Sequence, residues 1–281
     1  MGGFSCSGAI FSLLTRHGKE KVVSPVLGAK LGCKILHTDG YDTDLLGTFS
    51  RERKRAGSQI EAARSKARIG MELTGLKRGI ASEGAFGPDP FTGLMQWNIE
   101  MLAMIDDEKG FELTGIAQRP GRFSHCFCKS WAEAEEFAVN AGFPGHHLVV
   151  RPDHQEDPRI EKGISDWEAL RLSFDRALRE SDNGMVFMEN DLRAHANPDR
   201  METIRLAALD LCEKVLSLCP ACGAPGFWLS EYVRGLPCAD CGMPTRRPMS
   251  EIWKCTACTF HEQRGLNSDS ASPQHCDRCN P

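Results

Sequence analysis

Eight of the thirteen cysteines stand in four Cys-x-x-Cys pairs, all beyond residue 218: Cys219/Cys222, Cys238/Cys241, Cys255/Cys258 and Cys276/Cys279. Each pair can bend one tight turn that aims two sulfurs at a single point. Fifteen residues separate the first two pairs and seventeen the last two. Both intervals fit the Cys-x2-Cys-x15–20-Cys-x2-Cys spacing of a four-thiolate zinc site. Zn2+ accepts a tetrahedron of thiolates without geometric strain. Gly, Pro or Asn beside the sulfurs, in CPACGAPG, CADCGMP and CDRCNP, suit such turns. Two structural zinc ions in ribbon-like sites are therefore expected. Sequential pairing, first with second and third with fourth, is the expected arrangement, and a crossed one stays open. Redox disulfides account poorly for four regularly spaced pairs. His261 and His275 are spare ligands that eight thiolates make unnecessary.

The chain of 281 residues suggests two domains at about 100–200 residues each. The expected division is an α/β nucleotide-binding-like domain over 1–218 and a tandem zinc-ribbon module over 219–281. A hydrophobic content of 41% supplies a core, and a net charge of −4 removes any whole-chain drive toward nucleic acid or acidic lipid. No run reaches the ~18 apolar residues of a membrane span. The short apolar run from Ala9 to Leu14 lacks a basic segment before it and a cleavage site after it. A soluble, cytoplasmic protein is expected, since an odd cysteine count without a signal peptide does not fit a secreted disulfide framework.

Before the cysteines, strand and helix patterns alternate, which is the mark of an α/β fold. Ala9 to Thr15 and Cys33 to Leu36 read as buried strands around a helix from Gly18 to Leu31 that Pro25 interrupts. Residues 38 to 56 are polar and turn-rich. Ser58 and Glu61 form a capping box that starts a helix to about Leu73. Its packing face carries Ile60, Ala63, Ala67, Gly70 and Met71, and its other face carries Glu61, Arg64, Lys66, Arg68 and Glu72. Arg78 to Ala81 is the next strand, followed by a loop over 82–89. Gln96 to Ile105 and Phe111 to Ala117 form an antiparallel pair. Helices over Ser130 to Ala141 and Ser165 to Arg179 flank a strand at His146 to Val150. Met185 to Met188 leads into ENDLRAHAN, and Asn197-Pro198 caps and starts a long helix to Leu218.

Ligands in such sheets bind beyond the carboxyl ends of strands, where three polar segments fall: 15–19, 82–89 and 189–197. Thr15, His17 and Lys19, around a flexible Gly18 at a helix start, suit a phosphate. Glu83, following Ser82 between glycines, suits Mg2+, which takes one or two carboxylates plus phosphate oxygens. Asp191, Arg193 and His195 alternate with apolar residues and, if extended, share one face ahead of a helix N-terminus that favours anions. Cys126 and Cys128 form a Cys-x-Cys in a predicted loop.

The block GSQIEAARSKARIGMELTGLKRGIASEGAFGP, residues 57 to 88, resembles the central block of the inosine/xanthosine triphosphate pyrophosphatases. Glu61-Ala62-Ala63-Arg64-Ser65-Lys66-Ala67 echoes the family's helix run and Ser82-Glu83-Gly84 its acidic loop. Thr15 to Lys19 echoes its phosphate loop, and Ala194-His195 the Ser-His-Arg element before its last helix. The resemblance spans roughly residues 10–210. It departs at His17, where asparagine is expected, and after His195, where no arginine follows directly. The whole arrangement also resembles a bacterial family with this core and a double zinc-ribbon end. The resemblance implies a mixed sheet flanked by helices and hydrolysis of a nucleoside triphosphate to monophosphate and pyrophosphate. It further implies Mg2+ on Glu83 with Glu61, charge neutralisation by Lys19, Arg64 and Lys66, and His195 with Arg193 on the base or phosphates.

Two other readings remain at this level. One is an adaptor whose ribbons dock nucleic acid or protein through Arg246, Arg247, Lys254, Arg264 and Arg278, with Trp228, Trp253 and Phe260 as stacking surfaces. The other is a nucleotide sensor on a degenerate hydrolase fold.

Overall fold

The computed structural model describes residues 4–43, 57–90, 92–266 and 268–281. Most of the turn-rich 38–56 stretch, residues 44–56, lies outside the described residues. The chain is α/β and forms two compact units, Cys6–Cys212 and Glu213–Pro281, the latter with Phe4 and Ser5. Among the described residues no helix is long and apolar enough to cross a membrane.

In the larger unit, β1 (Ile10–Leu14), β2 (Lys34–Thr38), β3 (Arg78–Pro88), β4 (Gln96–Asp106) and β5 (Phe111–Pro120) form a mixed sheet in the order β2-β1-β3-β4-β5. The strands β2, β1 and β3 are parallel; β4 and β5 join antiparallel. Parallel neighbours need crossovers, supplied by α1 (Glu20–Leu31) and α2 (Gln59–Thr74). Helix α1 runs through Pro25 without a break.

The capping box forms as expected: Ser58 Oγ accepts from Glu61 N at 3.4 Å, and Ser58 N–H donates to Glu61 Oε2 at 2.7 Å. Ala63, Ala67, Gly70 and Met71 bury against the sheet. Small residues there permit close approach. A Cβ on Gly70 would stand 3.2 Å from Ser12 Oγ, and one on Gly79 would stand 2.7 Å from Ala67 O. Lys66 departs from the expected solvent face. It is buried on the sheet side, because a carboxylate on β3 receives it.

Strand β3 corrects the expected loop at 82–89. It continues through Ser82 and Glu83 to Pro88, in unbroken antiparallel register with β4 from Arg78↔Asp106 to Pro88↔Gln96. Gly84 does not mark a turn. A Cβ there would lie 2.2 Å from Glu100 Oε1 and 2.7 Å from Arg200 Nη2. The turn falls at Asp89, whose carboxylate accepts from Thr92 N and Oγ1, Leu94 N and Met95 N.

A second, wholly antiparallel sheet holds β6 (His125–Cys128), β7 (Leu148–Pro152), β8 (Glu161–Ile164) and β9 (Val186–Asn190) in the order β6-β9-β7-β8. Helices α3 (Trp131–Asn140) and α4 (Trp167–Glu180) pack on it through Ala134, Ala138, Leu170, Phe174 and Ala177. Three of its four strands fall in the segment over 120–180, to which the pyrophosphatase resemblance assigns nothing.

Helix α5 (Pro198–Leu216) begins where Asn197 Oδ1 accepts from Arg200 N at 3.0 Å. It crosses β5 so closely that a Cβ on Gly115 would meet Ala207 O at 2.2 Å. A backbone oxygen cannot rotate away, so Gly115→Ala is expected to destabilise by about 3 kcal/mol, the upper end for an overpacked core. Urea unfolding checks this as a lower midpoint with an unchanged slope.

The smaller unit carries β10 (Trp228–Arg234), β11 (Pro248–Lys254) and β12 (His261–Gly265) as an antiparallel sheet in that order.

Candidate functional site

A cleft in the larger unit lies between its two sheets. Leu14, Thr15, Ser82 and Glu83 reach it from the mixed sheet, His17 and Lys19 from the start of α1, and Lys66 from α2. Val149, Lys162, Glu189 and Asn190 reach it from the antiparallel sheet, followed by Asp191 to Arg193 and by Arg200 of α5. The cleft thus gathers Thr15, His17, Lys19, Lys66, Ser82, Glu83, Asp191 and Arg193 from distant parts of the chain. His195 stands beside it, its ring 5.3 Å from that of His17 between centroids. Glu61 and Arg64 are not brought there. Glu61 is held at the α2 cap, and Arg64 pairs with Glu112.

The polar groups inside are paired in detail. Lys66 Nζ meets Glu83 Oε2 in a buried ion pair. Lys19 Nζ donates to Ser82 O at 2.9 Å and to Ser82 Oγ at 3.4 Å. Gln59 Nε2 donates to Glu83 O at 2.7 Å, fixing the strand there. Arg200 Nε donates to Glu100 Oε1 at 2.6 Å and its Nη1 to Leu192 O at 2.5 Å. This ties α5 to both β4 and the 191–195 segment. Arg193 folds back on Asp191, which accepts from its backbone N–H and its guanidinium. The 191–195 segment is therefore not the extended strand expected. Asp191 opens a turn, and Ala194–Ala196 is one turn of 3-10 helix.

Burial and neighbouring cations set the charge states. Burial, then Arg200, brings the Lys19 ammonium down to about 7. Burial, then Lys19, brings His17 down to about 3. Burial and Arg193 lower His195 as well. Burial opposes ionisation of Asp191, yet the bonds from Arg193 hold its carboxyl below the usual range. Two neutral imidazoles thus stand at the edge of a cleft bearing five lysine or arginine side chains and three carboxylates.

Sequence reasoning missed Lys162, Glu100 and the inward role of Arg200. Glu100 left a signal, because it shares the core face of β4 with Asn98 and Leu102, where a charge must have a partner. Lys162 left none.

As for a metal, no three carboxylate or imidazole groups converge in the cleft among the described residues. Glu83, Glu189 and Asp191 are hard oxygen donors of the kind Mg2+ takes one or two at a time, with phosphate and water completing its shell. Each of the three already has a cationic partner, Lys66, Arg151 and Arg193 respectively.

In the smaller unit the eight cysteines form two groups, each able to hold a metal ion: Cys219, Cys222, Cys255 and Cys258, and Cys238, Cys241, Cys276 and Cys279. The pairing is interleaved, first with third and second with fourth, which corrects the sequential expectation. The cause is the antiparallel register. Trp228↔Lys254 sets the start of β10 beside the end of β11, so the pair before β10 meets the pair after β11. Ser250↔Gly265 sets the end of β12 at the start of β11, so the pair after β12 meets the pair between β10 and β11. The turns at the first two pairs close through Gly223 N to Cys219 O and Gly242 N to Cys238 O, both glycines at positive φ. Sulfurs of opposite pairs stand 3.8 and 3.6 Å apart in the first group and 3.9 and 3.6 Å in the second. A tetrahedron with Zn–S bonds of about 2.3 Å has edges of about 3.8 Å, so both groups fit zinc.

A family model described as a domain of unknown function (DUF6671) matches residues 66–281. No curated protein matches the chain.

Proposed function

The chain belongs to the DUF6671 family, and we propose that its cleft binds a nucleoside triphosphate or a related nucleotide and hydrolyses it, with Mg2+, to monophosphate and pyrophosphate. The observation that carries this reading is the meeting of Glu83 with Lys19, Lys66, Arg193 and Arg200 in one cleft. Cations clustered around a carboxylate suit a polyphosphate that brings its metal ion. Its hydrolysis is governed by positioning and charge stabilisation more than by covalent chemistry. The reading takes the mixed sheet and its helices as a core like that of the inosine/xanthosine triphosphate pyrophosphatases.

In this reading Lys19 and Arg193 bind phosphate oxygens, and Lys66 holds Glu83 in place. Glu83 would hold Mg2+, which when bound supplies charge neutralisation at the phosphates. Arg200 positions the 191–195 segment through Leu192 O. The neutral faces of His17 and His195 offer a surface to the base. The structural zinc groups hold the smaller unit together, away from any redox role.

A second reading, a nucleotide sensor, is favoured by one observation: Glu83, Asp191 and Glu100 each already have a cationic partner. The adaptor reading draws less support as a nucleic-acid binder. The smaller unit has seven lysines and arginines against seven aspartates and glutamates. Arg246, Lys254 and Arg264 are each paired with a carboxylate.

The test is pyrophosphate release from a panel of standard and deaminated nucleoside triphosphates with Mg2+, using wild type and Glu83→Gln. Release from wild type, lowered at least about a hundredfold in the variant, is expected. Nucleotide binding without release would favour the sensor. Neither binding nor release would overturn the nucleotide reading.

A further inference from the structure

Cys126 and Cys128 lie outside both metal groups, on the edge strand β6 and not in the loop expected for them. Their side chains share the strand's core face, as residues two apart must. Their sulfurs are 2.9 Å apart. Non-bonded heavy atoms ordinarily settle at about 3.5–4.0 Å, and a disulfide needs about 2.05 Å. Two residues of extended strand span about 6.6–6.8 Å, at the long end of the Cα separations a disulfide bridges. Closing the bond needs the two Cβ atoms at about 3.5–4.5 Å, so the strand must leave its extended form there, which a four-residue strand that pairs on one side alone resists least.

From this geometry we propose that Cys126 and Cys128 form a redox-active dithiol that a low-molecular-weight disulfide oxidises to an intrachain disulfide. The two sulfurs divide the work by exposure. Cys128 is fully buried against Ala134, Ala138 and Phe174, whereas Cys126 is only partly covered. The external disulfide therefore meets Cys126. The Cys126 sulfur attacks one sulfur of the oxidant, forming a mixed disulfide and releasing one thiolate. The Cys128 sulfur then attacks Cys126 Sγ and displaces the second. Two electrons pass to the oxidant's S–S bond, and both cysteine protons end on the two released thiolates. The hydrogen bond between the sulfurs holds Cys128 below the ordinary thiol range, and the same bond, then burial, raises Cys126.

The test uses the full chain with zinc in place, so that the eight ligand cysteines stay protected. The protein is held in oxidised glutathione, its remaining thiols are alkylated, and the peptide carrying Cys126 and Cys128 is weighed. The expected peptide carries no alkyl group, lacks two hydrogens and regains them with dithiothreitol. A Cys128→Ser chain, which has no closing thiol, is expected to trap glutathione on Cys126. A wild-type peptide alkylated at both cysteines, or one that keeps glutathione, would overturn the proposal. Should the variant fail to fold, the wild-type result decides alone.

Discussion

Stripping metal from the eight-cysteine unit is expected to abolish its folded structure. The unit has three strands of seven, seven and five residues, and its buried apolar side chains are few, Phe227 and Leu236 among them. A core of that size does not offset the entropy of ordering the chain. A structural zinc ion contributes about 10–16 kcal/mol at neutral pH, as much as the whole stability of a typical domain. Titration with a mercury reagent should release two zinc ions per chain. Proteolysis after chelation should then cut between residues 217 and 280. Resistance to cleavage in the stripped protein would refute the expectation. Paired substitutions read the ligand sets directly. Cys222→Ser with Cys255→Ser removes ligands from one group and should leave one zinc. Cys222→Ser with Cys241→Ser damages both groups and should leave none. Sequential pairing would give the opposite result.

Arg200→Met should be the most damaging single change in the larger unit. Arg200 and Glu100 are both buried, and their contact links α5 to β4. Removing one partner of a buried pair leaves an uncompensated charge and costs about 3–5 kcal/mol. Asn98 Nδ2, at 3.2 Å from Glu100 Oε1, is a neutral donor and cannot replace the guanidinium. Urea denaturation measures the loss. The pH dependence identifies its source. An orphaned Glu100 has a folded-state pKa above its unfolded value of about 4.3. Its penalty is then absent below that value and grows as pH rises through it. The deficit against wild type should therefore shrink as pH falls toward about 4. A deficit that stays constant with pH would assign the loss to packing, not to the buried charge.

Local chemistry was legible wherever one stretch of sequence decides it. The Ser58–Glu61 cap, the Asn197 cap and the turns around the cysteines follow from residues within a few positions of one another. Misreadings arose where the deciding partner is far along the chain. Gly84 reads as a turn residue, yet it is small because Glu100 and Arg200 fill the space beside it. Lys66 follows the polar period of α2, and only the presence of Glu83 on β3 explains why it turns inward. The expected alternation at Asp191, Arg193 and His195 gives way because Asp191 captures the Arg193 backbone. Thr15, Lys19 and Glu83 could be named as candidates from their settings, but that Lys162 joins them depends on a second sheet whose strands are too short to announce a partner. The interleaved cysteines are of the same kind. Spacing alone fits either pairing, and the strand register chooses.

That register also bears on how the chain is made. A ribosome delivers the cysteine pairs in order, and the first two emerge with a spacing that suits one zinc ion by itself. The lasting partners of Cys219 and Cys222 do not yet exist at that moment, because Cys255 and Cys258 come later. A zinc ion captured early must exchange two of its four thiolates before the sheet can form. The loops closed by the two groups, 219–258 and 238–279, overlap, so neither can mature as a separate piece. A chain synthesised where zinc is scarce and loaded once complete reaches its ligand pairing without that exchange.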